Sequence, residues 1–307
     1  MKQQERDRDA ELKELLEEVR RIDVQSRRLA TDVMSGGYLS VFRGAGIEFD
    51  EVREYVVGDD PRSVDWNVSA RVGRPFVKKY VDERELTVLF LLDLSSSMRG
   101  GFGIWSARQL AARVCGCLAF AATRNGDKVG LIGFDAAVTS YVPAKKGPAH
   151  ALRIIRDCLA LPGGSARGSP AAALEFAARA VRRRAILFLV SDFLCDGWED
   201  ALALCARRHD VVAVRLLTPE LAPPPAGLMR IVDPESGAEA VVDWGSRAVR
   251  DAYARRVEQW RARTEQALLR AKVDRMDVPV PRVRGRDMVA GPIMNFFRMR
   301  ELRGMKK

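Results

Sequence analysis

Leu86-Thr87-Val88-Leu89-Phe90-Leu91-Leu92-Asp93-Leu94-Ser95-Ser96-Ser97-Met98 decides the fold. Its first seven residues are almost all apolar, with branched and aromatic side chains dominant. Such a run reads as a strand buried on both faces, as in the interior of a parallel sheet. It ends on a carboxylate, Asp93, followed at alternate positions by the hydroxyls of Ser95 and Ser97. Ligands in open α/β sheets bind just past the carboxyl ends of the strands. Asp-x-Ser-x-Ser offers three oxygens there, the donor type that hard cations such as Mg²⁺ require.

A second strand ends in the same way: Ala185-Ile186-Leu187-Phe188-Leu189-Val190 runs into Ser191-Asp192. If the two strands are parallel near neighbours, Asp93 and Asp192 share one rim. Like charges at close range raise a carboxylate pKa, and a divalent ion removes the conflict.

Asp93-x-Ser95-x-Ser97 after a buried strand, with the later Asp192, resembles the metal-ion-dependent adhesion site of von Willebrand factor type A domains. The resemblance implies Mg²⁺ or Mn²⁺ held by the loop oxygens and by a Thr of a second loop, with the later Asp acting through water. It also implies an open coordination position that takes a carboxylate of a partner protein. The second loop corresponds to Gly163-Gly164-Ser165-Ala166-Arg167-Gly168-Ser169-Pro170, which holds no Thr. Spacing leaves Ser165 and Ser169 both open, and Ser169 is preferred because it adjoins the following helix.

A second, denser resemblance lies just upstream. Gly44-x-Gly46-x-x-Phe49 is followed by Arg53-x-Tyr55-x-x-Gly58-Asp59-Asp60-x-Arg62-x-x-Asp65-Trp66-x-x-Ser69-Ala70-Arg71, and then by Lys78-x-Tyr80. Together these are similar to the signature of domain-of-unknown-function family 58, which places this block directly before a type A-like domain. Many members of that family are encoded beside MoxR-type AAA+ ATPases, so the resemblance implies such an ATPase as a candidate partner. Within the block, Arg53, Arg62 and Arg71 beside Asp59, Asp60 and Asp65 read as an ion-pair network, or alternatively as a charged partner surface. Trp66 reads as a packing anchor. Asp60 reads as an N-cap with Pro61 at the first helical position, and Gly73 as the stop.

Composition bounds the remainder. The 307 residues are 47% hydrophobic, enough for a large core. No apolar run approaches the roughly 18 residues of a membrane span, and the charged start is unlike a signal peptide. Five Cys and two His give no disulfide framework and no zinc spacing. The expected setting is therefore cytoplasmic, with reduced cysteines. The net charge of +10 resides in residues 246–307, which carry 17 Lys/Arg against 7 Asp/Glu. A basic tail of this kind suits nucleic acid or an acidic surface, but no recognised nucleic-acid motif accompanies it.

The expected architecture is a doubly wound α/β domain with a mostly parallel sheet and one antiparallel edge strand. The expected divisions are an amphipathic helix within 1–34, a small β-containing region over 35–85, the type A-like domain over 86–282, and a tail helix within 283–307. Function reads as a non-enzymatic, metal-dependent protein-binding module. Two alternatives stand beside it. One is a metal-dependent phosphohydrolase of the haloacid-dehalogenase kind, whose second Asp is here Ser95. The other is a metal-free scaffold with a nucleic-acid-binding tail. A Gly-x-x-x-x-Gly-Lys-[Ser/Thr] phosphate loop is absent from the sequence, so the chain is not itself expected to be the ATPase.

Overall fold

The computed structural model describes residues 2–35, 48–57, 59–81, 85–101, 103–164, 167–225, 227–283 and 288–304. The chain divides into two compact units, one of residues 1–41 with 86–307 and the other of residues 42–85.

Helix α1 (Lys2–Ser35) opens the chain. It fills the span 1–34 expected for the amphipathic helix and ends at Ser35. Pairs one turn apart, such as Arg27 with Asp23 at 2.6 Å, support its charged face. In the small unit, β1 (Glu48–Glu54), α2 (Trp66–Val72) and β2 (Phe76–Val81) follow, and β1 pairs antiparallel with β2. The α2 boundary corrects the sequence reading. Pro61–Ser63 form only a 3-10 turn, and the helix proper starts at Trp66. Asp65, not Asp60, is its N-cap, accepting from the N–H groups of Asn67 and Val68 at 3.0 and 3.3 Å. Gly73, at φ 76°, closes it as expected.

The larger unit continues with β3 (Thr87–Asp93), α3 (Ala107–Arg124), β4 (Lys128–Phe134), β5 (Val138–Lys145), α4 (Pro148–Ala160) and α5 (Pro170–Ala180). Next come β6 (Ile186–Ser191), α6 (Glu199–Ala206), β7 (Asp210–Leu217), and the hairpin of β8 (Leu228–Val232) and β9 (Glu239–Asp243). Helix α7 (Arg247–Arg270), strand β10 (Asp274–Pro279) and helix α8 (Ala290–Gly304) complete it.

The six-stranded sheet runs in the order β10-β7-β6-β3-β4-β5. All neighbours are parallel except the edge pair β4–β5. The fold is thus α/β, with a mixed but mostly parallel sheet and one antiparallel edge strand. Val88 to Leu92 of the central strand are at most 1% exposed, as a run apolar on both faces requires. Each such side chain contributes about 1.5–3 kcal/mol of burial. Helix α3 starts on a capping box, Ser106 with Gln109, and is buried almost throughout. Gly116 lets its neighbours in: a β-carbon there would meet Ser26 of α1 at 2.8 Å and Ile155 of α4 at 2.9 Å.

Strand order positions the functional rim. From β3 the chain moves outward to β4 and β5, then returns to β6 on the other side of β3. The crevice past the carboxyl ends of β3 and β6 is therefore a topological switch point, where doubly wound sheets bind ligands.

A candidate metal centre at the carboxyl rim

Asp93 is the last residue of β3 and Ser191 the last of β6, one step beyond the parallel pair Leu92 and Val190. The Ser191 hydroxyl donates to Asp93 Oδ2 at 2.6 Å and accepts from the Phe193 N–H at 3.0 Å. The Ser95 N–H donates to Asp93 Oδ1 at 2.9 Å, which folds the Ser loop back over the carboxylate. The Ser95 and Ser97 hydroxyls lie 3.1 Å apart. Ser97 lies beside the Asp192 carboxylate and lowers its pKa; that carboxylate accepts the Leu194 N–H at 3.0 Å. Asp93, Ser95, Ser97 and Asp192 thus surround one space on the same rim.

The loop after Asp192 is held under constraint. Phe193 has φ 57°, a left-handed conformation rare for an aromatic residue. It is fixed by edge-to-face contact with Trp198, centroids 5.3 Å apart, and by the Trp260 indole donating to its carbonyl at 2.8 Å.

The third loop approaches through glycines. A β-carbon at Gly168 would lie 2.8 Å from Asp93 Oδ1, and one at Gly164 would lie 2.2 Å from Asp135 Oδ2. Only glycine allows this backbone so near two carboxylates. Gly168 is therefore the residue set against Asp93. Ser169 spends its N–H on the Asp135 carbonyl at 2.7 Å, and its hydroxyl makes no helix-capping bond. Ser165, the other hydroxyl weighed from the sequence, lies outside the described residues.

Electrostatics follow from burial. Asp93 is 1% exposed, and desolvation raises its pKa against the lowering hydrogen bonds of Ser191 and Ser95, with the Asp135 charge raising it further. Asp192 is pushed up to about 7, first by burial and then by the charge of Asp93. Two adjacent buried carboxylates with hydroxyl neighbours form an all-oxygen donor set, which suits a hard divalent cation. The chemistry of the residues present therefore fits a divalent ion.

In the small unit, Arg53 holds Asp59 with two bonds of 2.9 and 2.6 Å, and the Val56 N–H adds a third at 2.9 Å. The guanidinium holds the Asp59 carboxyl below its usual range. Asp60 accepts from Ser63 through its carbonyl, and Asp65 caps α2. Trp66 is 74% exposed, which corrects its reading as a packing anchor: at the first position of a short helix its side chain has little to lie against. Arg71 is exposed, and the Arg62 side chain lies outside the described residues.

The sequence profile described as "Protein of unknown function DUF58" matches residues 51–263. The chain belongs to the DUF58 family. An uncharacterized protein of Mycobacterium tuberculosis is 32% identical over 250 residues, covering 80% of this chain and 78% of that protein. Among solved structures, the conserved hypothetical protein BatB from Bacteroides thetaiotaomicron aligns with a TM-score of 0.43 at 17% identity, over 70% of this chain and 98% of that one. Proximal thread matrix protein 1 from the mussel byssus, with a zinc-occupied MIDAS motif, aligns with a TM-score of 0.35 at 16% identity, over 44% and 38%. These structural likenesses are too weak to carry an argument, and the architecture rests on the strand order itself.

Two parts of this DUF58 site escaped sequence reasoning. Ser191 was readable only as the polar residue ending β6, and its bond to Asp93 depends on β3–β6 adjacency. Gly168 looked like loop punctuation, although its lack of a side chain is what the approach to Asp93 requires. Among the described residues no helix is long and apolar enough to cross a membrane.

Proposed function

We propose that this DUF58 chain is a non-enzymatic protein-binding module whose rim takes Mg²⁺ (or Mn²⁺) between Asp93, Ser95, Ser97 and Asp192. Ser169 is the further hydroxyl that the third loop offers. The carrying observation is the convergence of two buried carboxylates and three hydroxyls at the switch point of the sheet. When bound, the ion supplies an open position for a carboxylate of another protein. The chain's own residues orient the donors: Ser191 steadies Asp93, and the Ser95 N–H fixes the loop. Phosphoryl transfer from Asp93 is disfavoured, because the position of the needed acid/base is Ser95, itself 1% exposed.

The partner we propose is a MoxR-type AAA+ ATPase. The exposed Asp60, Trp66 and Arg71 of the small unit offer a second, charged and aromatic contact. Titration calorimetry of the full chain against a co-encoded ATPase should give binding in magnesium and none in EDTA. Equal affinity in both conditions would sink the metal bridge.

A further inference from the structure

A groove of about 710 Å³ starts at Ser97 and Asp192 and runs to the β8–β9 hairpin. Four consecutive residues of β8, Met229 to Val232, line it. Successive side chains of a strand point to opposite faces, so four in a row at one groove means that the strand presents its edge. β8 and β9 form a sheet of two strands, and among the described residues β8 has no second neighbour.

The register identifies which backbone groups face outward. Trp244 N–H bonds the Gly227 carbonyl, and Asp233 N–H bonds the Ala238 carbonyl. With Met229 opposite Val242 and Ile231 opposite Ala240, the inward-bonding residues of β8 are Met229 and Ile231. Leu228, Arg230 and Val232 therefore turn their N–H and C=O groups to the open edge. Leu228, Ile231 and Val232 leave apolar side chains exposed along β8, at 73%, 41% and 54%, while Arg230 pairs with Glu239 of β9 at 2.6 Å. An edge of this kind is a template for another strand.

Trp244 lines the same groove. Trp244 is 5% exposed, and its indole N–H has no hydrogen-bond partner among the described residues. The ring is held edge-to-face by Tyr253, centroids 5.2 Å apart, so the donor is fixed in place.

We infer that this groove takes an extended segment of a partner protein, which adds as a third strand on the open edge of β8 and delivers an Asp or Glu to the Ser97–Asp192 rim. The acidic preference rests on the metal reading above. The strand addition rests on the open edge of β8 and the groove alone. The charged lining is balanced, Arg230 and Arg282 against Asp192 and Glu220, so the backbone ladder and alternate apolar side chains supply affinity while the rim supplies the acid preference.

The test uses the full chain and a phage-displayed library of random nonapeptides, selected in magnesium. Enriched peptides are resynthesised with fluorescein and titrated by anisotropy. The expected enrichment is an acidic residue beside alternating apolar ones. Arg230→Pro removes an outward N–H without touching the β9 ladder, so it should weaken binding about tenfold. Arg230→Thr keeps the N–H and should bind nearly as the parent does. Mn²⁺ binding, read by electron paramagnetic resonance, should be unchanged in both variants. No enriched peptide, or equal affinity in Arg230→Pro, overturns the strand addition. Peptide binding that is sensitive to Arg230→Pro but indifferent to EDTA and to Asp93→Ala upholds the groove and removes the metal reading and its acidic preference.

Discussion

Ser191 does two jobs with one hydroxyl, donating to Asp93 at 2.6 Å and accepting from Phe193 at 3.0 Å, with no exposed surface. Ser191→Ala leaves a buried carboxylate short of a donor and a backbone N–H without its acceptor. Urea unfolding should show a loss of about 1–3 kcal/mol, and an unchanged midpoint would mean that the bond is not held in solution. The residues that carry charge at this rim were legible, because a carboxylate at the end of an apolar run has few structural uses. The residues that support them were not. Ser191 and Gly168 act through neighbours 98 and 75 positions away in sequence, Asp93 in both cases. Spacing along one strand or one helix does not reach that far. Trp66 shows the opposite failure, since a large apolar side chain was taken to be inside when nothing at its helix start covers it.

Among the elements, the buried strands β3 and β6 were readable from composition alone. Boundaries set by capping were less so. The segment from Asp60 to Gly73 contains two competent caps, and the choice between Asp60 and Asp65 is made by the isolated bridge of Val64 to Val77 and the Asp65 N–H bond to Phe76. Those contacts pin the chain in extended form just before Asp65. Asp65→Ala should cost about 0.5–2 kcal/mol, the usual value of a lost N-cap. Hydrogen exchange should show faster protection loss in residues 66–72. If exchange there is unaltered, the cap is not what starts α2. The role of the β8–β9 hairpin as a groove wall depends on where it folds relative to the Ser97 loop.

Across the whole molecule, charge is distributed more economically than the net +10 suggests. Arg300 and Arg303 of α8 bind Asp210 and Asp274 at 2.8 Å, and Arg215 pairs Asp277 through two bonds of 2.9 Å. Two arginines of the basic C-terminal stretch, Arg300 and Arg303, thus fasten the β7–β10 edge of the sheet. The rim carboxylates set a pH signature of their own. The pKa of Asp192 is raised on folding to about 7, so its contribution to stability is complete below its unfolded value, near 4, and is lost as pH rises through 7. In EDTA, the stability of the chain relative to Asp192→Asn should fall between about pH 4 and pH 7. In magnesium that slope should flatten, because the ion favours the charged form. A slope that is the same with and without magnesium would show that no ion meets Asp192. The most direct measurement is Mn²⁺ titration of the full chain, followed by electron paramagnetic resonance, beside Asp93→Ala. The account predicts one bound ion in the parent chain, displaced by excess Mg²⁺, and none in the variant. Equal binding by Asp93→Ala, or no binding by either, would contradict it.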